Sequence, residues 1–282
     1  MTAEAFHLPR SIAEALDLLR EHGDDVVVMT GGTLVMSAIN GGQLFPRRLM
    51  SLKRAGIDQL RAENGRFEIG AAVTASRLAS ETDLPLLTQA AAGLGGPALR
   101  NQATIGGNLF AHAPYGDLGV ALMALDAEVE LTRKEGARTV PLADFFANGA
   151  AARRPDELVT ALRVPRPSGE TAWVRLGRRQ AATAPVATAA VVIERDADGR
   201  CTAARIALGA AGSAPMRARE AEAALVGQPL DESTIEAAAQ AAAIGCEPPT
   251  DALASSWYRQ QMIPVVVRRA LSQIAAAAPA GR

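Results

Sequence analysis

The sequence predicts an α+β fold with more than one domain, and three observations support this prediction. Asn64-Gly65 and Asp198-Gly199 each lie between apolar runs, which is the typical pattern of a β-hairpin. Segments with helical spacing begin at recognisable caps, such as the capping box Ser11-Ile12-Ala13-Glu14. The last third of the chain passes from strands to helices. At 282 residues, the chain has room for two or three small domains with their own cores.

The first 55 or so residues are predicted to form a small α/β unit. A helix runs from the capping box to about His22, with an apolar face, and Gly23 ends it. The apolar run 26–29 is typical of a short buried strand, and the turn Thr30-Gly31-Gly32-Thr33 follows it. A short helix up to 40 and a strand at 49–52 complete the unit.

Residues 57–178 are predicted to form a second α+β subdomain. It opens with the Asn64-Gly65 hairpin, and Thr74 is expected to cap a helix over 75–79. Further helices are expected at 84–94 and 117–125, and strands near 127–132, 137–140, 157–164 and 172–178. The run Gly93–Ala98 superficially matches a dinucleotide fingerprint. Because it follows a helix and contains Pro97, we do not interpret it as a Rossmann site.

The composition changes from about residue 180. Ala187–Glu194 and Cys201–Leu208 are predicted strands of one hairpin, and helices are expected at 216–226, 231–244 and 256–277. Pro264 lies inside the last of these helices and should kink it or mark a break.

Composition excludes several classes of function. A net charge of −1 gives no electrostatic case for nucleic acid or an anionic membrane. Cys201 and Cys246 stand alone, which argues against an iron–sulfur cluster or a disulfide scaffold. We find no signal peptide and no 18-residue apolar run, so a cytoplasmic setting with reduced thiols is expected. The histidines, His7, His22 and His112, lie in separate segments, and neither a catalytic triad nor a metal site is predicted.

Two glycine turns are the best candidates for a binding site. One is Thr30-Gly31-Gly32-Thr33; the other is Gln102-Ala103-Thr104-Ile105-Gly106-Gly107-Asn108, with Asp117 nine residues after the asparagine. Successive backbone N–H groups in such turns can form a concave anion site. Two of them, flanked by hydroxyl groups, suit a ligand with two linked phosphates. The alternative is that each Gly-Gly pair merely ends a strand.

These motifs resemble the FAD-binding medium subunit of the molybdenum hydroxylases, the xanthine dehydrogenase and carbon monoxide dehydrogenase family. The residues that carry the resemblance are Thr-Gly-Gly-Thr after a strand and the segment 103–117, and the segments 254–259 and 267–271 add to it. The resemblance implies a two-subdomain FAD-binding domain of the PCMH type over 1–178, with subdomains of about 1–56 and 57–178. A C-terminal α+β domain over 179–282, a β-sheet with a helical bundle, is implied to follow.

The resemblance also implies which residues contact FAD: Val28, Met29, Thr30, Gly31, Gly32, Thr33, Leu34, Leu94, Thr104, Ile105, Gly106, Gly107, Asn108, His112, Asp117, Val159 and Arg175. The glycine N–H groups would bind the pyrophosphate. Asp117 would bind the adenosine ribose, since a carboxylate can accept two hydrogen bonds from a diol; its alternative role is the N-cap of a helix starting at Leu118. Arg175 stands where the family commonly has a lysine near the flavin, and the alternative is a solvated strand residue.

The sequence departs from the family pattern at two positions. Leu34 replaces a polar residue of the first motif, which removes one phosphate contact that the Leu34 N–H could replace. Ala182 replaces an acid after Arg178-Arg179, in a region that lies near the nicotinamide in NAD-dependent members. Aromatic residues are scarce, so Phe110 and Tyr115 are the candidates to stack on the flavin.

The resemblance implies an FAD-binding electron-transfer subunit of a heterotrimer. Its partners would be an iron–sulfur small subunit with 2Fe–2S clusters and a molybdopterin large subunit, associated as a dimer of heterotrimers. No catalytic residue and no metal ligand is expected in this chain. Two alternatives are a stand-alone FAD oxidase and an assembly scaffold that has lost FAD. The substrate and the electron acceptor (oxygen, a quinone, a cytochrome or NAD) stay open.

Overall fold

The computed structural model describes residues 3–148, 153–179 and 183–277. It confirms the α+β class, with helices and three separate sheets in the described residues. The strands are β1 (Ala5–His7), β2 (Val26–Met29), β3 (Arg48–Ser51), β4 (Leu60–Glu63), β5 (Arg66–Gly70), β6 (Glu128–Arg133), β7 (Gly136–Pro141), β8 (Leu158–Pro165), β9 (Glu170–Gly177), β10 (Pro185–Arg195), β11 (Cys201–Gly209) and β12 (Met216–Arg217).

The helices range from one turn to six. They are α1 (Ile12–His22), α2 (Thr33–Asn40), α3 (Ala75–Leu78), α4 (Pro85–Ala92), α5 (Pro97–Arg100), α6 (Ile105–Asn108), α7 (Asp117–Ala124), α8 (Leu142–Ala147), α9 (Arg219–Leu225), α10 (Glu232–Ala241) and α11 (Ser256–Ala277). The chain divides into two compact units: unit 1 comprises 1–80, 96–111 and 126–166, and unit 2 comprises 81–95, 112–125 and 167–282.

Unit 1 begins with a parallel sheet in the order β1-β3-β2. The apolar face of α1 packs on it through Leu16 and Leu19, which contact a cluster that includes Val26 and Met50. Because β2 and β3 are parallel neighbours, Met29 and Ser51 lie side by side at their carboxyl ends. The segments that follow these two strands therefore leave the sheet at the same edge.

The rest of unit 1 is built on an antiparallel sheet in the order β4-β5-β8-β6-β7. The predicted turn between β4 and β5 is confirmed, with φ of 51° at Asn64 and 72° at Gly65, as a two-residue turn of this kind requires. Thr74 caps α3 as predicted, because its hydroxyl accepts the N–H of Arg77.

Unit 2 is built on the antiparallel sheet β12-β11-β10-β9. Its core is formed by small and branched apolar side chains from this sheet and from α9, α10 and α11. Strand β9 pairs with β10 in this sheet, although the sequence pattern predicted that strand to belong to the second subdomain. The domain boundary after residue 178 stays a prediction.

Two local expectations need correction. Ser11 accepts the N–H of Glu14, but the Glu14 carboxylate accepts the N–H of Arg10 instead of that of Ser11, so the reciprocal half of the capping box is displaced by one residue. Helix α11 continues on both sides of Pro264, so of the two expectations, a kink or a break, the break is wrong. Packing of α11 against β9 and β10 stabilises it as one helix despite the missing N–H.

Glu157 is a buried carboxylate with a defined set of donors. Its oxygens accept Nε and Nη2 of Arg138 at 2.7 and 2.8 Å and the N–H of Arg154 at 2.9 Å. The hydrogen bonds from Arg138 hold its pKa below the ordinary 4.5, although burial opposes them. A lowered folded-state pKa means that this stabilisation is present above about pH 4.5 and is lost as the pH falls through the folded-state value.

We expect Glu157→Gln to lower the free energy of unfolding by about 1–3 kcal/mol at pH 7, because it removes charge-assisted hydrogen bonds from a buried site. The loss should shrink as the pH falls below 4.5, since the unfolded chain then binds a proton that the native carboxylate takes up only at lower pH. Urea unfolding at pH 7 and at pH 3.5 measures both values, and a loss that is equal at the two pH values would contradict this account.

Two negative findings apply to the residues that the structure describes. None of their helices combines the length and apolar character needed to cross a bilayer. They also contain no cluster of three or more His, Cys, Asp or Glu side chains that could hold a metal ion.

Candidate cofactor site

The first glycine turn joins a strand to a helix in unit 1. Strand β2 ends at Met29, and α2 begins at Thr33 with Gly32 as its N-cap. Gly32 has a φ of 74°, in the left-handed region that glycine adopts without steric cost. The turn therefore places the amino end of α2 only a few residues after the carboxyl end of β2.

The backbone N–H groups of this turn have no protein acceptor in the part of the chain that the structure describes. This holds for Gly31, Gly32, Thr33 and Leu34, whereas the N–H of Met36 begins the helical pattern by donating to Gly32. Neighbouring N–H groups at a helix N-terminus, together with the helix dipole, favour an anion. The Leu34 N–H belongs to this set, as its predicted role requires.

The second glycine turn packs directly against the first. A Cβ atom on Gly31 would lie 1.7 Å from the carbonyl oxygen of Gln102 and 3.3 Å from Cγ2 of Thr104. Only a residue without a side chain allows this approach. Because Gly31 has no Cβ, the two turns can approach closely, and Thr30 and Thr104 line the same cavity.

The N–H groups of the second turn, in contrast, serve the protein itself. Ile105 donates to the carbonyl of Val73 at 2.9 Å, and Gly106 donates to the carbonyl of Ala71 at 3.0 Å. A Cβ on Gly106 would lie 2.6 Å from that of Ala71, so this glycine is needed for packing. The expected use of the Gly106 N–H as a phosphate donor does not fit this geometry.

The remaining donors of the second turn are held in a short helix. Thr104 caps α6 by accepting the N–H of Gly107 at 3.3 Å, a long hydrogen bond, and the N–H of Asn108 donates to the Thr104 carbonyl at 2.9 Å. The Thr104 hydroxyl keeps its own hydrogen to donate. Because the hydrogen bond from Gly107 is long, its N–H can also donate to a ligand. Thr104 and Gly107 are therefore the residues of the second motif that best fit ligand binding.

A cavity of about 210 Å³ opens beside the two turns, within unit 1. Thr30, Gly31 and Thr104 line it together with residues that were not predicted as site residues: Lys53, Asp58, Thr74, Arg77, Asn101 and Gln102. Lys53 follows β3, the parallel neighbour of β2. A prediction that these two strands are adjacent would have placed Lys53 beside the first turn, because segments after neighbouring parallel strands share an edge.

Asp117 and Arg175 form a buried ion pair in unit 2. Nε of Arg175 donates to Oδ2 of Asp117 at 2.8 Å, and the two side chains are only 13% and 4% exposed. The N-cap of α7 is Gly116 and Asp117 is the first helical residue, so the N-cap interpretation of Asp117 is wrong. The interpretation of Arg175 as a solvated strand residue is wrong as well.

The other predicted residues lie in varied surroundings. Val28 and Met29 are half-buried at the end of β2, Val159 is buried in β8, and Leu94 follows α4. In unit 2, the exposed rings of His112 and Tyr115 contact each other edge to face, with centroids 5.7 Å apart. In unit 1, Phe110 is 54% exposed and contacts Phe145. Ala182 lies outside the described residues.

Two sequence families together cover nearly the whole chain. Residues 2–167 match the FAD binding domain in molybdopterin dehydrogenase, and residues 172–274 match the CO dehydrogenase flavoprotein C-terminal domain. These matches confirm the resemblance on which the expected architecture rested.

Curated relatives match at similar length. The chain is 33% identical to the 6-hydroxypseudooxynicotine dehydrogenase complex subunit alpha of Paenarthrobacter nicotinovorans, over 93% of this chain and 91% of that protein. It is 31% identical to the carbon monoxide dehydrogenase medium chain of Afipia carboxidovorans, over 97% of both chains.

Solved structures share the fold. A chain of the cyanide-inactivated Cu,Mo-CO dehydrogenase superimposes with a TM-score of 0.91 at 32% identity, covering 98% of this chain and 99% of that one. A chain of quinoline 2-oxidoreductase from Pseudomonas putida 86 gives 0.90 at 26% identity, covering 98% of both chains. The chain therefore belongs to the molybdenum hydroxylase family, as the FAD-binding subunit of an oxidoreductase.

Proposed function

We propose that the turn Thr30–Leu34 binds the pyrophosphate of FAD. The observation that carries this proposal is the set of adjacent N–H groups, Gly31 to Leu34, without a protein acceptor at the amino end of α2. Thr104 adds a hydroxyl beside Gly31, and the neighbouring cavity adds the cation of Lys53. Backbone donors of this kind stabilise a diphosphate without a cluster of basic side chains, in keeping with the near-zero net charge.

The bound FAD would supply the ability to accept a pair of electrons and release it to another carrier. The chain itself would bind and orient the cofactor and limit the access of solvent. We assign no bond-making step to its side chains.

Flavin retention tests this function. The purified full chain is incubated with FAD, freed of unbound cofactor by gel filtration and examined by absorption spectroscopy. We expect about one equivalent of flavin per chain, with the absorption band near 450 nm that is typical of bound flavin. A chain that retains none is co-expressed with its partner subunits and tested again. Flavin missing from the assembled complex as well would contradict the proposal and favour the scaffold alternative.

We propose further that the chain works between two partner subunits. Relatives are named as a medium chain and as a subunit of a dehydrogenase complex, and this chain matches them over nearly their full length. An iron–sulfur small subunit would deliver electrons that a molybdopterin large subunit takes from the substrate, and the trimers would pair as a dimer. Co-purification with a tagged copy of this chain tests the assembly, and recovery of the chain alone from its native host would argue against it.

Lys53 gives a prediction specific to the phosphate site. Replacing Lys53 with Ala should weaken FAD binding about tenfold, because a charge-assisted hydrogen bond is removed. The effect should fall as salt is raised, since Lys53 is exposed. Arg54→Ala is the matched control, because Arg54 lies on the same turn and is exposed but does not line the cavity. Titration calorimetry measures the FAD affinity of both variants. An equal loss of affinity in the two would contradict a specific role of Lys53.

The stand-alone oxidase is a weaker alternative. It requires a general base or a covalent attachment residue at the flavin. The first glycine turn contains neither His nor Cys, and Cys201, which belongs to β11, is buried. Oxygen consumption by the isolated FAD-loaded chain with candidate substrates would be the observation in its favour.

A further inference from the structure

The small parallel sheet of unit 1 has one well-covered face and one that is open. Helix α1 packs on the face that carries Val26 and Met50. On the opposite face, the side chains of Phe6, Leu49 and Val27 form one row across β1, β3 and β2, because these residues pair in register. None of these three side chains is buried, and Phe6 is 58% exposed. The second face therefore lacks the close packing of the first.

Helix α2 belongs to this second face. The chain passes from β1 to β2 and then back to β3 between them, so right-handed connections place α1 and α2 on opposite sides of the sheet. Five of the eight residues of α2 are apolar, yet none of the eight is buried, whereas α1 buries three residues. Met36 is 41% exposed. An apolar helix of this kind normally packs against another protein element, and α2 leaves much of its apolar surface free.

Phe45 extends the apolar surface beyond the end of α2. The N–H groups of Gln43 and Leu44 donate to the carbonyl of Ala38, so the loop that contains Phe45 turns back against the helix. The Phe45 side chain is 61% exposed. All of this surface belongs to unit 1. We call it the outer face; it comprises Phe6, Val27, Met36, Phe45 and Leu49.

The segment that forms most of the outer face carries no charge. Residues 26–46 include no Lys, Arg, Asp or Glu, although 21% of the whole chain is charged. The flanking charges pair with each other, since Nη1 of Arg47 lies 3.1 Å from Asp25 and Nε lies 3.4 Å from Glu4. Interfaces between subunits have such an uncharged centre, rich in Met and aromatic side chains, within a polar rim. The complementary surface on a partner is therefore apolar as well.

The position of α2 indicates which partner covers the outer face. The helix begins at the turn proposed to bind the pyrophosphate, so a protein that covers α2 also lies beside the cofactor-binding turn. In the proposed complex, the iron–sulfur subunit has to approach the flavin to deliver electrons, whereas the molybdopterin subunit reacts with the substrate. A second copy of this chain would bring no electron donor to the flavin. The iron–sulfur subunit is thus the partner that has to lie nearest to α2.

We propose that the outer face is the docking surface for the iron–sulfur subunit, which covers Met36 and Phe45 with an apolar surface of its own. The inference rests on the proposed function and adds to it the surface through which the electron-donating partner binds. Neither Met36 nor Phe45 is assigned to the cofactor, so docking and FAD binding can be tested separately.

Charges placed on the outer face test the docking. The full chain, carrying an affinity tag, is co-expressed with both partner subunits, and the subunits that co-purify are quantified. The double variant Met36→Glu/Phe45→Glu should bind the iron–sulfur subunit at least about a hundredfold more weakly, because docking would bury two carboxylates without partners. Both native side chains are exposed, so thermal unfolding of the variant should match that of the native chain. Ile244→Glu is the matched control, since it adds the same charge at a residue of unit 2 that is 62% exposed, and it should leave co-purification unchanged.

Hydrogen exchange of the native protein gives an independent measurement. The amides of 33–46 should exchange at least about tenfold more slowly in the complex than in the isolated chain, with both samples loaded with FAD. Because no residue is changed, this result does not depend on how well a variant folds.

Retention of the iron–sulfur subunit by the double variant, or unchanged exchange over 33–46, would overturn the proposal. Loss of the molybdopterin subunit alone would overturn it by giving this face to that subunit. Dimers of the isolated chain that the double variant dissociates would instead give the face to a second copy. If the double variant does not fold, the exchange measurement on the native complex decides. A native chain that recovers no partner subunit refutes the proposed function, and a complex without FAD refutes the cofactor assignment.

Discussion

Replacing Arg259 with Met should lower the free energy of unfolding by about 3–5 kcal/mol, because it leaves several groups in the interior of unit 2 without a partner. Arg259 is 0% exposed. Its Nη1 donates to the carbonyls of Pro185 and Val186 at 3.0 and 2.8 Å, and its Nη2 donates to both carboxylate oxygens of Asp251 at 2.9 and 2.8 Å. One side chain thus joins α11 to the start of β10 and to the segment before the helix.

The matched control for this variant is Arg269→Met, which makes the same change at an exposed position of the same helix. The control should stay within about 0.5 kcal/mol of the native protein. Chemical denaturation of the full chain measures both variants. If Arg259→Met lowered the free energy of unfolding by less than about 1 kcal/mol, these hydrogen bonds would contribute little to stability, and the account would be contradicted.

Replacing Gly31 with Ala should abolish FAD binding at micromolar cofactor and lower the free energy of unfolding by about 1–3 kcal/mol. The new methyl group would lie 1.7 Å from the Gln102 carbonyl oxygen and 2.7 Å from its carbon. Both are backbone atoms, so the first turn or the second must move. The donors of Gly31 to Leu34 would then lose their alignment with one diphosphate.

Gly96→Ala separates this steric effect from the general effect of adding a methyl group. Gly96 also belongs to unit 1, has an ordinary φ of −93° and would meet no atom within 4 Å. Its alanine variant should bind FAD like the native chain. Flavin retention and thermal unfolding, measured side by side, compare the two. Normal flavin content in Gly31→Ala would contradict the role of the first turn.

Local signals in the sequence were sufficient to predict much of the fold. The Asn64-Gly65 turn, the Thr74 cap and the Thr30–Thr33 turn are determined by residues that lie next to each other, and all are found as predicted. Helix α11 also has the predicted bounds. The helix does not break at Pro264, because tertiary packing outweighs the lost hydrogen bond of one residue.

Features that depend on contacts between distant segments were not predictable in the same way. The sequence did not show that Ala71 takes the N–H of Gly106 or that Arg175 pairs with Asp117, 58 residues away. Both contacts change the expected roles of residues in the glycine motifs. Lys53 was missed for the same reason, since it reaches the first turn only through the pairing of β2 with β3.

The affinity of the chain for FAD relative to riboflavin tests the central claim most directly. Riboflavin has the same ring and ribityl chain but lacks the pyrophosphate and the adenosine beyond it. If the N–H groups of Gly31 to Leu34 bind the pyrophosphate, FAD should bind at least about a hundredfold more tightly, corresponding to about 3 kcal/mol from two or more charge-assisted hydrogen bonds. Titration calorimetry of the full chain, or of the flavin-depleted complex, gives both constants. Equal affinities would contradict the assignment of the first glycine turn to the pyrophosphate.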